Sequence, residues 1–165
     1  MSRRVARVTD PGGGTGRSDL WSVATSVIAD HPVVGVGAGN FPVVAREYAA
    51  ETINLPYVHL VVDTPKETHN AYLGVFADLG LVGLLAFGIV VLATLTLTLR
   101  ATREFARARE PDLELLSRAL FVALVGLLTH FVFLSGQHEK QFWLLVGLAV
   151  ALYALARRRA AALAP

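Results

Sequence analysis

The stretch from Thr68 to Arg100, THNAYLGVFADLGLVGLLAFGIVVLATLTLTLR, constrains this chain more than any other. It opens on His69 and Asn70, passes a single carboxylate at Asp78, and then runs without a charge from Leu79 to Leu99. A helix rises about 1.5 Å per residue, so about twenty residues cross a hydrocarbon core of roughly 30 Å. Leu79 to Leu99 therefore fills a bilayer unaided, and Ala71 to Asp78 must lie outside it. His69 then stands roughly 10–15 Å above the membrane surface if the helix runs straight. It lies nearer the head groups if Gly80 and Gly83 let the helix bend.

The rest of the chain agrees with that class. Of 165 residues, 54% are hydrophobic and 17% charged, and the mean hydropathy is +0.52. This is too apolar for an ordinary soluble domain and reads as an all-α integral membrane protein. The formal charge of +2 comes mostly from arginines beside the apolar runs, so no nucleic-acid partner is needed to explain it. There is no cysteine, which excludes disulfides and thiol chemistry. The first sixteen residues carry basic side chains with no apolar segment after them, so they are not a signal peptide. The simplest account is a C-terminal part of a larger polytopic bundle, whose N-terminal spans come from missing upstream sequence or a partner subunit.

Residues 1–16, with the glycine-rich breaker Pro11 to Gly16, read as a flexible lead. In RSDLWSVATSVIADHP the apolar positions Leu20, Val23, Ala24, Val27 and Ile28 recur at helical spacing, Ser18 or Asp19 can cap the start, and His31-Pro32 ends the helix. VVGVGAGNFPVV follows, with Gly35, Gly37 and Gly39. A dinucleotide fingerprint fails because its third glycine is replaced by Asn40 or Pro42, and a phosphate loop fails for want of a Lys-Ser/Thr pair. Two readings stay open: a tight turn packed against a helix, or backbone amides facing an anion. Ala45 to Glu67 is a solvated excursion. Within it, Arg46 to Ile53 is compatible with a short helix, and Tyr57 to Val62 has β-type composition.

Arg100, Arg103, Arg107, Arg109 and Arg118 mark a cytoplasmic loop at about 100–118, because basic residues set orientation. Ala119 to Leu134 is expected as a second span and Gln141 to Ala156 as a third, opened by Phe142 and Trp143 and stopped by Arg157 to Arg159. The expected architecture is three transmembrane helices over 79–159, preceded by an extracytoplasmic helical region at 17–78 and followed by a tail at 160–165. The outer region faces the periplasm or the exterior.

The run GRSDLWSVATSVIADHPVVGVGAGNF, followed by THNAYLGVFADLGLVGLLAF, resembles the O-antigen ligase and O-antigen polymerase superfamily. An Arg-x-x-x-Trp helix, a His-Pro-x-x-Gly-x-Gly turn and a His-Asn-x-x-Leu helix entering the membrane occur in the family's order, over Arg17 to about Phe87. The resemblance implies a metal-independent membrane glycosyltransferase without cofactor. Such an enzyme moves glycan from a polyprenyl-diphosphate carrier to a lipid, protein or glycan acceptor. The chain departs from the pattern in having Asp78 where the family commonly has Glu, and in lacking the family's many N-terminal spans.

On that resemblance, His69 is the catalytic base candidate, since imidazole as a group titrates near neutrality, at about pH 6.5. An isolated histidine ahead of a helix also serves as a cap or interfacial residue. Arg17 and Arg46 are the guanidinium groups able to grip a diphosphate in bidentate fashion, with Arg17 alone in the matching motif. Asn70 either orients His69 or caps the helix. Asp78 is either a boundary anchor or the partner of a basic residue such as Arg17. His31, His59, His69, His130 and His138 show no metal-binding spacing, and no nucleophile elbow supports Ser-His-Asp chemistry. The rival reading is a non-catalytic membrane subunit or a truncated remnant. Transport is weaker, because no ionisable residue lies mid-span.

Overall fold

The computed structural model describes residues 17–51 and 67–162, and its five helices are the only regular structure among them. The glycine-rich lead and Tyr57 to Val62 lie outside the described residues. Helix α1 (Arg17–Asp30) buries Leu20, Val23, Ala24 and Val27, the positions that its apolar spacing selects. Helix α2 (Phe41–Glu51) begins before the stretch expected to be helical, with Pro42 in its first turn, where a missing N–H costs nothing. Its Phe41, Ala45 and Ala49 recur every fourth residue and meet α1 in one core that Ala77 completes.

The remaining helices are α3 (Ala71–Arg107), α4 (Pro111–His130) and α5 (Lys140–Ala162). The arginine-rich segment at 100–118 is mostly helical, since α3 continues through Arg107 and α4 starts at Pro111. The tight turn between them places Arg109 at φ 55° and closes on the bond from Glu110 N–H to the Phe105 carbonyl, 3.0 Å. At that end Ala101, Phe105, Leu120, Leu124, Ala149, Leu152 and Ala156 form a core, and Arg159 pairs with Glu110 at 3.1 Å. At the opposite end Ala71, Val75, Phe87, Phe131 and Phe142 form another. Its rings meet edge-on or tilted, Phe131 to Phe142 at 5.4 Å and Phe87 to Phe142 at 5.7 Å, the geometry that aromatic quadrupoles favour.

The all-α expectation stands, but the expectation of three transmembrane helices does not. Only α3 and α4, among the described residues, are long and apolar enough to cross a membrane. Helix α5 is no shorter than α4 but is less apolar along its length, with Lys140 and Gln141 at its start. It also contains Trp143 and Tyr153 and carries three arginines near its end. Helix α5 packs instead along α3 and α4 as part of a compact helical assembly. On the outward faces Ile89 and Leu92 of α3 are each 66% exposed, and Val122 of α4 is 68% exposed. Apolar surface of this extent on two such helices supports membrane association.

One interruption positions everything at the outer end. Helix α3 is broken at Gly80, whose φ of 64° and ψ of −164° belong to glycine alone. In an unbroken helix Leu81 N–H would bond Ala77 and Val82 N–H would bond Asp78. Here Leu81 N–H donates to the Pro32 carbonyl at 2.9 Å and Val82 N–H to Val33 at 3.2 Å. The carbonyls of Ala77 and Asp78 accept from Val36 N–H at 3.0 Å and Gly37 N–H at 2.7 Å. The glycine-rich loop after α1 thus inserts into the break and satisfies all four freed groups. Such close approach requires glycine on both sides, because a Cβ on Gly35 would overlap the Asp78 carbonyl and one on Gly80 would overlap that of Val33.

Candidate functional site

The residues around His69 are held on both sides. Before it, Thr68 is buried, and its carbonyl accepts a 2.9 Å hydrogen bond from the Trp21 indole Nε1 of α1. After it, Asn70 is the N-cap of α3, its Oδ1 accepting from Leu73 N–H at 3.0 Å, which satisfies one of the free amides of a helix start. Thr68 Oγ1 donates to the Asn70 carbonyl at 2.6 Å, and Ala71 N–H donates to the Phe131 carbonyl at 2.8 Å. Between these anchors His69 has φ 50°, a left-handed conformation that an L-residue keeps only when its surroundings impose it. Its side chain is partly exposed.

Arg17 and Trp21 are one helical step of four residues apart on α1, which places them on a shared side of that helix. Because Trp21 reaches the residue before His69, the structure brings the Arg-x-x-x-Trp helix and the His-Asn helix together. Arg17 is exposed and has no hydrogen bond or ion pair among the described residues. Arg46 lies on the exposed side of α2, away from the Phe41, Ala45 and Ala49 face.

Asp78 is buried and faces neither a lipid boundary nor Arg17. Its Oδ2 accepts from Gly39 N–H at 3.0 Å and its Oδ1 from Phe41 N–H at 2.8 Å, so the carboxylate sits on the N-terminus of α2, where the helix dipole favours negative charge. Both sequence readings of the glycine loop therefore hold at once. The loop is a tight turn against a helix, and its amides face an anion, which is the side chain of Asp78.

Next to this junction lies a cavity of about 100 Å³, lined among others by Thr68, Gly74, Asp78, Ser135, Gln137 and His138. Thr68 Oγ1 and Ser135 Oγ are 3.4 Å apart across it. Ser135 to His138 come from the turn between α4 and α5, which carries no motif or spacing that marks it in the sequence. Trp21 did have a signal, as the second residue of its motif, although its target did not. Among the described residues no cluster of His, Asp and Glu could hold a metal ion.

A family model described as O-antigen ligase matches residues 2–88, more than half of the 165 residues. The match takes in α1, the glycine loop, α2, His69 and the break at Gly80. No curated protein matches the chain.

Proposed function

The chain belongs to the O-antigen ligase family, and on that premise we propose that it works in a membrane glycosyltransferase acting on a polyprenyl-diphosphate-linked glycan. The acceptor is a hydroxyl of a lipid, a protein or another glycan. The observation that carries this reading is the bond from Trp21 Nε1 to the Thr68 carbonyl. It ties the helix bearing Arg17 to the residue before His69.

The acceptor oxygen attacks the anomeric carbon and forms the new glycosidic bond, while its proton passes to His69. The bond from the anomeric carbon to the diphosphate oxygen breaks, and its electron pair leaves with the diphosphate. Charge grows on that leaving group as the bond lengthens, so a guanidinium contact from Arg17 strengthens in the transition state. Arg46, on the exposed side of α2, is a further guanidinium of the outer region. Asn70, by capping α3, holds the backbone that presents His69. A single displacement of this kind inverts the anomeric centre.

The arginines at 100–118 assign the α3–α4 turn to the cytoplasm and residues 17–70 to the periplasmic or extracellular side of the plasma membrane. Since the chain has no cysteine, a single Cys at position 138 should react with an impermeant thiol reagent from outside and one at 108 should not. The reverse pattern refutes the orientation. For the chemistry, removing a general base typically costs roughly 10²–10⁴-fold in rate. His69→Ala should therefore accumulate normally in the membrane and lose glycan transfer by that factor. Unaltered transfer per molecule would instead identify the chain as a non-catalytic subunit or remnant.

A further inference from the structure

We infer that the cavity lined by Thr68 takes a neutral hydroxyl-bearing edge of an acceptor sugar, and that Gln137 is the residue that positions it. The inference rests on the transferase reading above and adds the location and chemistry of its second substrate.

The lining of the cavity selects the ligand. Thr68 and Ser135 supply hydroxyls, Gln137 an amide, Asp78 and Glu67 carboxylates and His138 an imidazole, and among the described residues no lysine or arginine lines it. A diphosphate placed there would meet the like charge of two carboxylates with no guanidinium among the described residues to offset it. A sugar hydroxyl, being both donor and acceptor, suits each of these groups.

Gln137 supplies the second observation. The residue is only 7% exposed, and its Oε1 is buried with no hydrogen-bond partner among the described residues. A buried acceptor in that condition destabilises the fold, and such groups are usually satisfied. A donor hydroxyl arriving in the cavity removes the penalty. The main chain at this point is fixed, because Trp143 Nε1 donates to the Gln137 carbonyl at 3.0 Å. Space opposite the amide is kept by Gly74, where a Cβ would come within 3.1 Å of Thr68 Oγ1 and 3.2 Å of Gln137 Nε2.

The cavity and the base share Thr68. That residue lines the cavity and immediately precedes His69, whose imidazole is not itself among the lining groups, so the base approaches an acceptor held there from the neighbouring position in the chain. Arg17 is likewise not among the residues lining the cavity, and the inference keeps the diphosphate outside it. Gln137 also lies beyond residues 2–88, the part that the family model covers. That suits a group distinguishing acceptors rather than one running the shared chemistry.

The chain's two tryptophans, Trp21 and Trp143, bond the carbonyls of Thr68 and Gln137, so their fluorescence reports on the cavity directly. The full chain in detergent micelles is titrated with methyl glycosides of glucose, galactose and N-acetylglucosamine, and separately with inorganic pyrophosphate. At least one glycoside should give a saturable change. Gln137→Leu should weaken that binding at least tenfold, leave the melting temperature equal or higher, and leave any pyrophosphate response unaltered. Gly74→Ala should also weaken glycoside binding, from the opposite wall. In the transfer assay Gln137→Leu should raise the acceptor KM at least tenfold with the donor KM unchanged. No saturable glycoside response, equal affinity in Gln137→Leu, or a Gln137-dependent response to pyrophosphate instead overturns the inference. The titrations involve no transfer, so their result stands apart from that of His69→Ala.

Discussion

Replacing Gly80 by alanine attacks the joint between the outer helices and α3, and the size of the effect can be built from its parts. A non-glycine residue at φ 64° and ψ −164° costs about 1–3 kcal/mol. The new Cβ would also overlap the Val33 carbonyl. Moving the loop away sacrifices the bonds from Leu81 and Val82 N–H to Pro32 and Val33, at about 1 kcal/mol each. The sum is a loss of about 3–5 kcal/mol. Gly35→Ala should cost nearly as much, since φ is 68° there and its Cβ would overlap the Asp78 carbonyl. Gly39→Ala is the control. Its φ is 71°, yet no atom lies within 4 Å of the added carbon, so only the left-handed penalty of about 1–2 kcal/mol applies. Thermal unfolding in detergent, followed by tryptophan fluorescence, would rank the three variants. Gly39→Ala falling as far as Gly80→Ala, or all three lying within 1 kcal/mol of the parent, would refute the claim that interlocked backbones hold the joint.

Other substitutions separate holding His69 from using it. His69→Gly relieves the left-handed conformation, so its stability should equal or exceed that of the parent by up to about 1 kcal/mol, while glycan transfer falls as in His69→Ala. Trp21→Phe keeps the ring but loses the bond to Thr68, and should cost about 1 kcal/mol of stability with a disproportionately larger drop in transfer. Equal drops in the two would reduce Trp21 to packing. Asn70→Ala should lower stability by about 1 kcal/mol through loss of the cap, measurable by the same melting experiment. Arg17→Lys keeps the charge and loses the planar fork, and should weaken transition-state binding by roughly 1–3 kcal/mol. An unchanged kcat/KM for the lipid-linked donor would return Arg17 to the solvated surface.

Much of α1 was legible because local periodicity and burial coincide there: Leu20, Val23, Ala24 and Val27 are both the spaced positions and the buried ones. The capping alternative for Asn70 was legible for a similar reason, since a cap acts within three residues. What escaped depends on partners far apart in the chain. Nothing near Asp78 announces that its carboxylate caps α2, some forty residues earlier. Nor does the loop at Pro32 to Gly37 reveal that its bonds belong to the break at Gly80. The count of spans failed on a different ground. Flanking arginines mark where an apolar stretch stops, but they say nothing of how apolar it is, and α5 is diluted by Gln141, Trp143, Tyr153 and its arginines. Gln137 sits in a turn whose only distinction is the cavity it helps to enclose.

The exchange of hydrogen bonds at Gly80 also acts as a ruler. Between the clamp at Ala77 to Val82 and the cap at Asn70, α3 contains a helical segment of roughly 10 Å, and that segment sets the distance of His69 from the joint. One residue inserted between Ala71 and Ala77 would lift the imidazole by about 1.5 Å and turn it through about 100°, out of register with Trp21, which α1 holds at the old height. The same insertion beyond Val82 leaves the ruler uncut, and lipid-facing helix can absorb the change by a modest tilt. The position of the imidazole is thus graduated in helical residues from the break, and is independent of the length of helix below it.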